Sequence, residues 1–495
     1  MKGLRDNTLR GWASVCGPYA ILVVCVVFVM TLLSIDSPLY DMLDHIDSAW
    51  FMMGGRAWMH GFTPYVDFTD SKGPLIWLIY GIGYLLSPGN YTGVFIVSAL
   101  FYALTCFVLY RTALLFLPGH RWLAACCSAL TLLAFFNPLL HFDTRIEDFA
   151  QLFFSISLYV TCRAIYAPSS SKPRSHWRSA LVVGLCMGAL LMMKFTLAVM
   201  PAIFVAYLAI DGWRRNGWHT SVAVVVATFA GIAAAVLPFL VYFLAIGHLR
   251  DAVNEYFLNT ITNGDNVSNW KLLVASVRGG ARTWYLIIMG LATGVSGLFL
   301  HRYRAFPLVS FLFFYAIATV HSLWLYYFNS CNFLAVFGGI ALAIWLMHGQ
   351  RRRIMAALPV VTVAVLTLYA TFWARQRESF VTNWGARHEA FNAAVTNLRH
   401  MGEHPTIVYL NCQTSPNISD PLQAFPGCKD WAKQSNASQQ LVEVQRQQVL
   451  QRRPDIVVIP DADSCRTLAS MLDSMGYQPQ PYPPKLLYHK QQPVH

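Results

Sequence analysis

Residues His45–Leu75 read HIDSAWFMMGGRAWMHGFTPYVDFTDSKGPL and follow the first long apolar run of the chain, Gly17–Ile35. The stretch sets Asp47, Asp67 and Asp70, with Asp44 just upstream, and the bases Arg56 and Lys72 among aromatic residues. Polar groups beside a bilayer are costly unless they serve a site or stay wet. Within the stretch, Ile46–His60 places Trp50, Phe51, Met53, Ala57 and Trp58 on one broad face. That pattern predicts an amphipathic helix on the membrane surface, with Asp47 at its start. At the other end, Gly73-Pro74 is a bend that lets the next apolar segment dip back into the membrane.

Composition points the same way. The chain has 495 residues, 56% hydrophobic and 12% charged, with a mean hydropathy of +0.44. A soluble domain carries about 25% charge. The net charge of +12 does not indicate a nucleic-acid partner, because the bases fall in short clusters between apolar runs. There they act as topology signals. Cys16, Cys25, Cys106, Cys126, Cys127, Cys162, Cys186 and Cys331 lie in or beside apolar segments and read as small hydrophobes. The first apolar run lacks a small-residue cleavage site and reads as an anchor rather than a removed signal peptide.

Eleven apolar runs are long enough, or nearly so, to cross a bilayer core: 17–35, 92–117, 122–140, 149–166, 179–194, 196–212, 220–246, 284–300, 305–322, 330–347 and 355–373. Gly73–Ser87 is shorter, is bracketed by Gly-Pro and Ser-Pro-Gly, and reads as re-entrant or interfacial. With Lys2, Arg5 and Arg10 in the cytoplasm, eleven spans put five basic clusters inside as well. These are His120–Arg121, the 163–178 loop, Arg214–Arg215, Arg302–Arg304 and Arg351–Arg353. The positive-inside rule requires this arrangement. A crossing at 73–87 would move every later cluster outside. The first outer loop is then 36–91, with six Asp against Arg56 and Lys72 between Asp36 and Lys72.

After about residue 374 the composition becomes that of a soluble domain, expected outside the membrane. Helical periodicity over 386–401, 439–451 and 466–475 alternates with β-branched runs at 406–410 and 455–459. Such alternation predicts a small α/β unit over 374–495, separate from a membrane domain over 1–373. Cys412 and Cys428 either pair in an oxidising compartment or remain free thiols.

The order of the opening stretch (an acid, a helix, Pro64-Tyr65, Asp67, then Asp70-Ser71-Lys72-Gly73-Pro74-Leu75) resembles the first extracytoplasmic loop of GT-C type integral-membrane glycosyltransferases. By pattern it is most similar to the family 39-like protein O-mannosyltransferases and the lipid A aminoarabinose transferases. The resemblance is strong over 45–76 and moderate at 141–149 and 190–197. It implies a GT-C fold and transfer of a sugar from a polyprenyl-phosphate donor to a lipid, glycan or protein acceptor. It also implies that Asp47 is the catalytic base, although an acid here also suits a helix cap. The family often shows Asp-Glu where this chain has Asp47-Ser48, so use of a divalent metal is left open and no metal ligand is assigned.

Other candidates follow from the same pattern. Lys72 neutralises donor phosphate or simply snorkels to the interface; Asp67 and Asp70 share its loop. The second outer loop, His141-Phe142-Asp143-Thr144-Arg145-Ile146-Glu147-Asp148, holds more charge than a hairpin needs. In the family it supplies an acid facing the active site, in the register of Asp143 or Glu147, with Glu147 preferred. Arg145 is a phosphate candidate. Lys194 lies at an outer turn between two apolar runs, where a buried cation requires an anion, and carrier phosphate is the expected one. His321 and Tyr327 lie near the outer end of the ninth span, where tyrosines ordinarily form an aromatic belt.

The expectation is therefore an inverting glycosyltransferase at the outer face of a bacterial inner membrane, modifying lipopolysaccharide or another polysaccharide. The competing reading is a polytopic transporter or flippase for a lipid-linked sugar. Transporters carry charge at the midplane and internal repeats. Here the charge clusters in loops on one face.

Overall fold

The computed structural model describes residues 2–40, 46–137, 144–166, 176–258, 280–321, 325–349, 351–382, 385–414, 417–432, 439–460, 465–482 and 485–490. Helix α1 (Lys2–Leu33) is followed by α2 (Ile46–Met59) and α3 (Pro74–Leu86). Further helices run at Thr92–Phe116, Arg121–Leu130, Ile146–Tyr166, His176–Leu191, Ala202–Asn216, Trp218–Ala245, Gly280–Ser296, Phe306–His321, Val336–His348 and Arg352–Thr382. A helix thus stands in each of the eleven apolar runs. Among the described residues, six helical stretches are long and apolar enough to cross a membrane: Thr92–Phe116, Ile146–Tyr166, Phe195–Asn216, Trp218–Ala245, Tyr326–His348 and Arg353–Gln376.

Pro74 supplies the first residue of α3, where its missing N–H costs nothing, and Gly73 precedes it in extended conformation. The helix has 13 residues, about 20 Å by helical rise, against a hydrocarbon core of about 30 Å.

The chain divides into two compact units that do not follow chain order. One comprises 1–34, 98–239 and 266–374; the other comprises 35–97, 240–265 and 375–495. The core of the first is aromatic, with Phe154, Phe204, Phe314 and Phe333 fully buried. Phe154 meets Phe314 edge-on at 5.1 Å between ring centres.

In the second unit α2 and α3 cross closely. A side chain at Gly55 would meet the backbone of Gly81 at 2.5 Å, so only glycine allows this approach. The packing of α2 departs from the surface helix expected above. Trp50, Phe51, Met53 and Ala57 are all buried. Phe51 packs on Tyr80 of α3, and Trp50 packs on Trp431 at 4.8 Å. The apolar face of α2 is thus spent on protein contacts, and one of its partners lies more than 370 residues further along the chain, beyond the reach of local pattern.

The C-terminal part of this unit is a five-stranded sheet, β1 (Thr406–Tyr409), β2 (Phe425–Pro426), β3 (Ile456–Pro460), β4 (Tyr477–Tyr482) and β5 (Lys485–Lys490). The order is β2-β1-β3-β5-β4. The first three strands are parallel, and β5 and β4 are added antiparallel. Helices at Gly385–Leu398, Gln439–Arg452 and Arg466–Ser474 accompany it. β1, β3 and the three helices match the sequence pattern. β4 was not legible because YQPQPY carries two prolines, which an edge strand tolerates. Cys412 and Cys428 are both buried free thiols, and burial pushes the Cys428 thiol up to about 12.

Candidate functional site

Two groups of polar side chains carry the candidate residues, one in each unit. In the second unit Asp47 is half-buried in the first turn of α2, where the helix dipole favours a carboxylate. The loop leading to Lys72 is tightly built. The Thr63 amide donates to Asp67 Oδ2 at 2.7 Å, and the Tyr65 amide donates to the Phe68 carbonyl at 2.7 Å. Tyr65 takes a left-handed φ of 68°, and its hydroxyl donates to the Lys72 carbonyl at 2.9 Å. Its ring is fully buried beside Trp77, Phe243 and Tyr256. Burial, then the nearby Tyr256 and Asp70, holds the Tyr65 hydroxyl well above the usual range, so it is a donor at every working pH. Asp70, buried, accepts from the Ser71 amide at 2.6 Å and from Lys72 Nζ at 3.4 Å. Asp67 therefore staples the loop, whereas Asp70 and Lys72 form a partly exposed ion pair.

Arg56, at the far end of α2 from Asp47, was counted among the bases of the opening stretch but given no role. It is 1% exposed and pairs with Asp420, 2% exposed, at 3.0 Å. Its guanidinium also donates to the carbonyls of Ala424 at 2.9 Å and Ser419 at 3.3 Å. The Tyr91 hydroxyl donates to the other Asp420 oxygen at 2.5 Å. A single arginine within an otherwise apolar helix was the available signal. Its partner could not be found from sequence.

In the first unit the start of the Ile146–Tyr166 helix, the turn at Lys194 and the 3-10 helix Leu325–Ala335 come together. Lys194 Nζ lies 2.8 Å from Glu147 Oε1 and 3.8 Å from the centre of the Tyr327 ring. Arg145 stacks its guanidinium over Tyr326 at 4.0 Å. The anion that a buried lysine at this turn requires is thus supplied by a carboxylate of the protein itself, where carrier phosphate was expected. Next to it Asp148 accepts from Tyr102 at 2.6 Å and from the Arg145 amide at 2.8 Å. Asn329 and Gln151 extend the network. Asp148 stands in the second outer loop quoted above but was given no role, and Tyr102, Asn329 and Gln151 were not singled out, since nothing in the local pattern distinguishes them.

The geometry therefore brings Arg145, Glu147, Lys194 and Tyr327 into one cluster, and Asp47, Asp67, Asp70 and Lys72 into one unit. His141 and Asp143 lie outside the described residues, and His321 is described only as the last residue of its helix. Among the described residues no three His, Cys, Asp or Glu side chains are grouped to hold a metal.

Residues 71–242 match the family model for dolichyl-phosphate-mannose-protein mannosyltransferase. Among solved structures, the chain is similar to ArnT from Cupriavidus metallidurans bound to undecaprenyl phosphate. The TM-score is 0.62 at 12% identity, covering 96% of this chain and 98% of that one. It is also similar to the arabinofuranosyltransferase AftD from Mycobacteria, with a TM-score of 0.48 at 13% identity, covering 96% of this chain and 40% of AftD. No curated protein sequence matches. The fold is that of the GT-C type membrane glycosyltransferases.

Proposed function

We propose that the protein transfers a sugar from a polyprenyl-phosphate carrier to a lipid, glycan or protein acceptor at the outer face of a bacterial inner membrane. The observation that carries this reading is the family match over 71–242, the stretch that holds Lys72, Arg145, Glu147 and Lys194. The solved relative bound to undecaprenyl phosphate supports the same donor class.

In this reading Asp47 takes the proton of the acceptor hydroxyl as its oxygen attacks the anomeric carbon. The bond from that carbon to the phosphate oxygen breaks, and its electron pair leaves with the polyprenyl phosphate. Lys72, Lys194 or Arg145 offsets the charge on the leaving group, an electrostatic contribution of the kind that dominates many transfer reactions. Direct displacement inverts the anomeric configuration. The division of roles is chemical: Asp47 is a half-buried carboxylate at a helix start and serves as the proton acceptor, whereas Lys194 and Arg145 are cations held against tyrosine rings.

Purified protein supplied with a polyprenyl-phosphate sugar and a lipid A or oligosaccharide acceptor should release polyprenyl phosphate and give a glycosylated product of inverted configuration. Turnover with a nucleotide sugar in the absence of any polyprenyl phosphate would defeat the proposal. Comparing the surface polysaccharide and lipid A of a deletion strain with its parent identifies the acceptor class.

A further inference from the structure

The first unit contains a second charged cluster that the proposed reaction does not use. Asp211, near the end of the Ala202–Asn216 helix, pairs with Arg215 at 2.7 Å and with His176 at 2.9 Å. It also accepts from the Tyr303 hydroxyl at 2.8 Å. The Tyr166 hydroxyl donates to the Tyr303 carbonyl at 3.1 Å. These contacts join three helix ends to the connection that precedes Phe306. They hold Tyr303 at a left-handed φ of 46°, which a residue other than glycine keeps only when its surroundings impose it.

Around the Tyr303 ring stand two exposed arginines, Arg214 at 5.8 Å and Arg302 at 5.9 Å from its centre. Asp211 is already matched by Arg215, and neither Arg214 nor Arg302 has an ion-pair partner among the described residues. Each planar guanidinium presents paired N–H donors that suit phosphate oxygens. In the chain Trp213 precedes Arg214 and Trp218 follows it by four residues, and the two indoles are 65% and 60% exposed. Large indoles left uncovered next to arginine fit the bilayer interface rather than open water.

We propose that Arg214 and Arg302, held about the Tyr303 ring, form a headgroup site for an anionic phospholipid. The site belongs to the basic loops of the chain, where the membrane surface supplies such lipids. The indoles select a lipid over a free phosphate ion, because they cover the glycerol and upper acyl region while the arginines hold the headgroup.

The test uses the full-length protein in nanodiscs of phosphatidylcholine, with or without phosphatidylglycerol. Either lipid carries bromine on its acyl chains, and quenching of tryptophan fluorescence is read. Brominated phosphatidylglycerol should quench at a concentration lower by roughly tenfold or more than brominated phosphatidylcholine. Arg214→Ala/Arg302→Ala should remove that difference without changing quenching by phosphatidylcholine. If the double variant does not fold, Arg302→Gln in the exposed turn should reduce the preference by itself. Equal quenching by the two lipids in the unmodified protein overturns the proposal, as does a preference unchanged in a folded variant. Loss of the preference on adding inorganic phosphate at matched ionic strength identifies a solute-anion site and likewise overturns it.

Discussion

Lys194 and Arg56 are both buried cations, and each finds its anion inside its own unit, in Glu147 and Asp420 respectively. Removing one member of such a pair strands the other. Glu147→Gln should therefore lower the thermal stability of the purified protein by an amount on the order of 3–5 kcal/mol. Glu147→Gln/Lys194→Met should recover much of it, and a double variant less stable than either single one would show that the two charges do not act as a pair. Asp47→Asn is different in kind, since it removes a proton acceptor at nearly constant volume. Transfer should fall by roughly 10²- to 10⁴-fold while expression and melting stay near those of the parent. Unimpaired transfer by that variant would remove Asp47 from the mechanism. Asp455 offers a pH signal. Burial raises its carboxyl, but the Thr406 amide and hydroxyl and Lys490 outweigh burial, and the net position is below the ordinary 3.8. A carboxyl depressed in the folded state contributes stability that is complete above its unfolded value and is lost as pH falls below it. Melting of the parent should thus drop on acidification below about pH 4, and Asp455→Asn should flatten that drop.

At the scale of elements, α2 is the informative piece. Arg56 follows Asp47 by nine residues, half a helical turn out of phase at 3.6 residues per turn. The helix is therefore gripped near its far end through Asp420, Ala424 and Ser419, on the side opposite Asp47. The residues around 420 thus set where α2 lies. Arg56→Leu should expose the 417–432 segment to limited proteolysis, and Arg56→Asp with Asp420→Arg should restore protection in part. Identical digestion of parent and Arg56→Leu would mean that the pair does not hold the helix. That α2 is a helix, and that Asp47 begins it, was legible from the spacing of its aromatic residues. What the apolar face meets was not, because a membrane surface and a protein surface ask for the same pattern.

For the whole molecule the parity of basic loops makes a prediction that contacts cannot replace. Residues 374–495 should lie outside the cytoplasm, and Gly73–Ser87 should not traverse the bilayer. A phosphatase fused after His495 should be active in cells, and a fluorescent protein fused there should stay dark. The reverse pattern would require an even number of spans.

Local information was sufficient for much of this protein. Long apolar runs interrupted by basic loops identify membrane helices, since nothing else satisfies backbone polar groups in lipid. The motif around Lys72-Gly73-Pro74 and the charges of Arg145, Glu147 and Lys194 are the local features on which the proposed transfer rests. Tertiary structure alone decided which charges neutralise one another. Glu147 and Lys194 are 47 residues apart, and Arg56 and Asp420 are 364 apart. A buried charge is stable only with its counter-charge in place, and pairing at such separations is written in no local pattern. The same holds for the grouping of the first loop with residues 375–495 in one compact unit. That grouping arises where apolar faces meet, and a sequence records the faces without their partners.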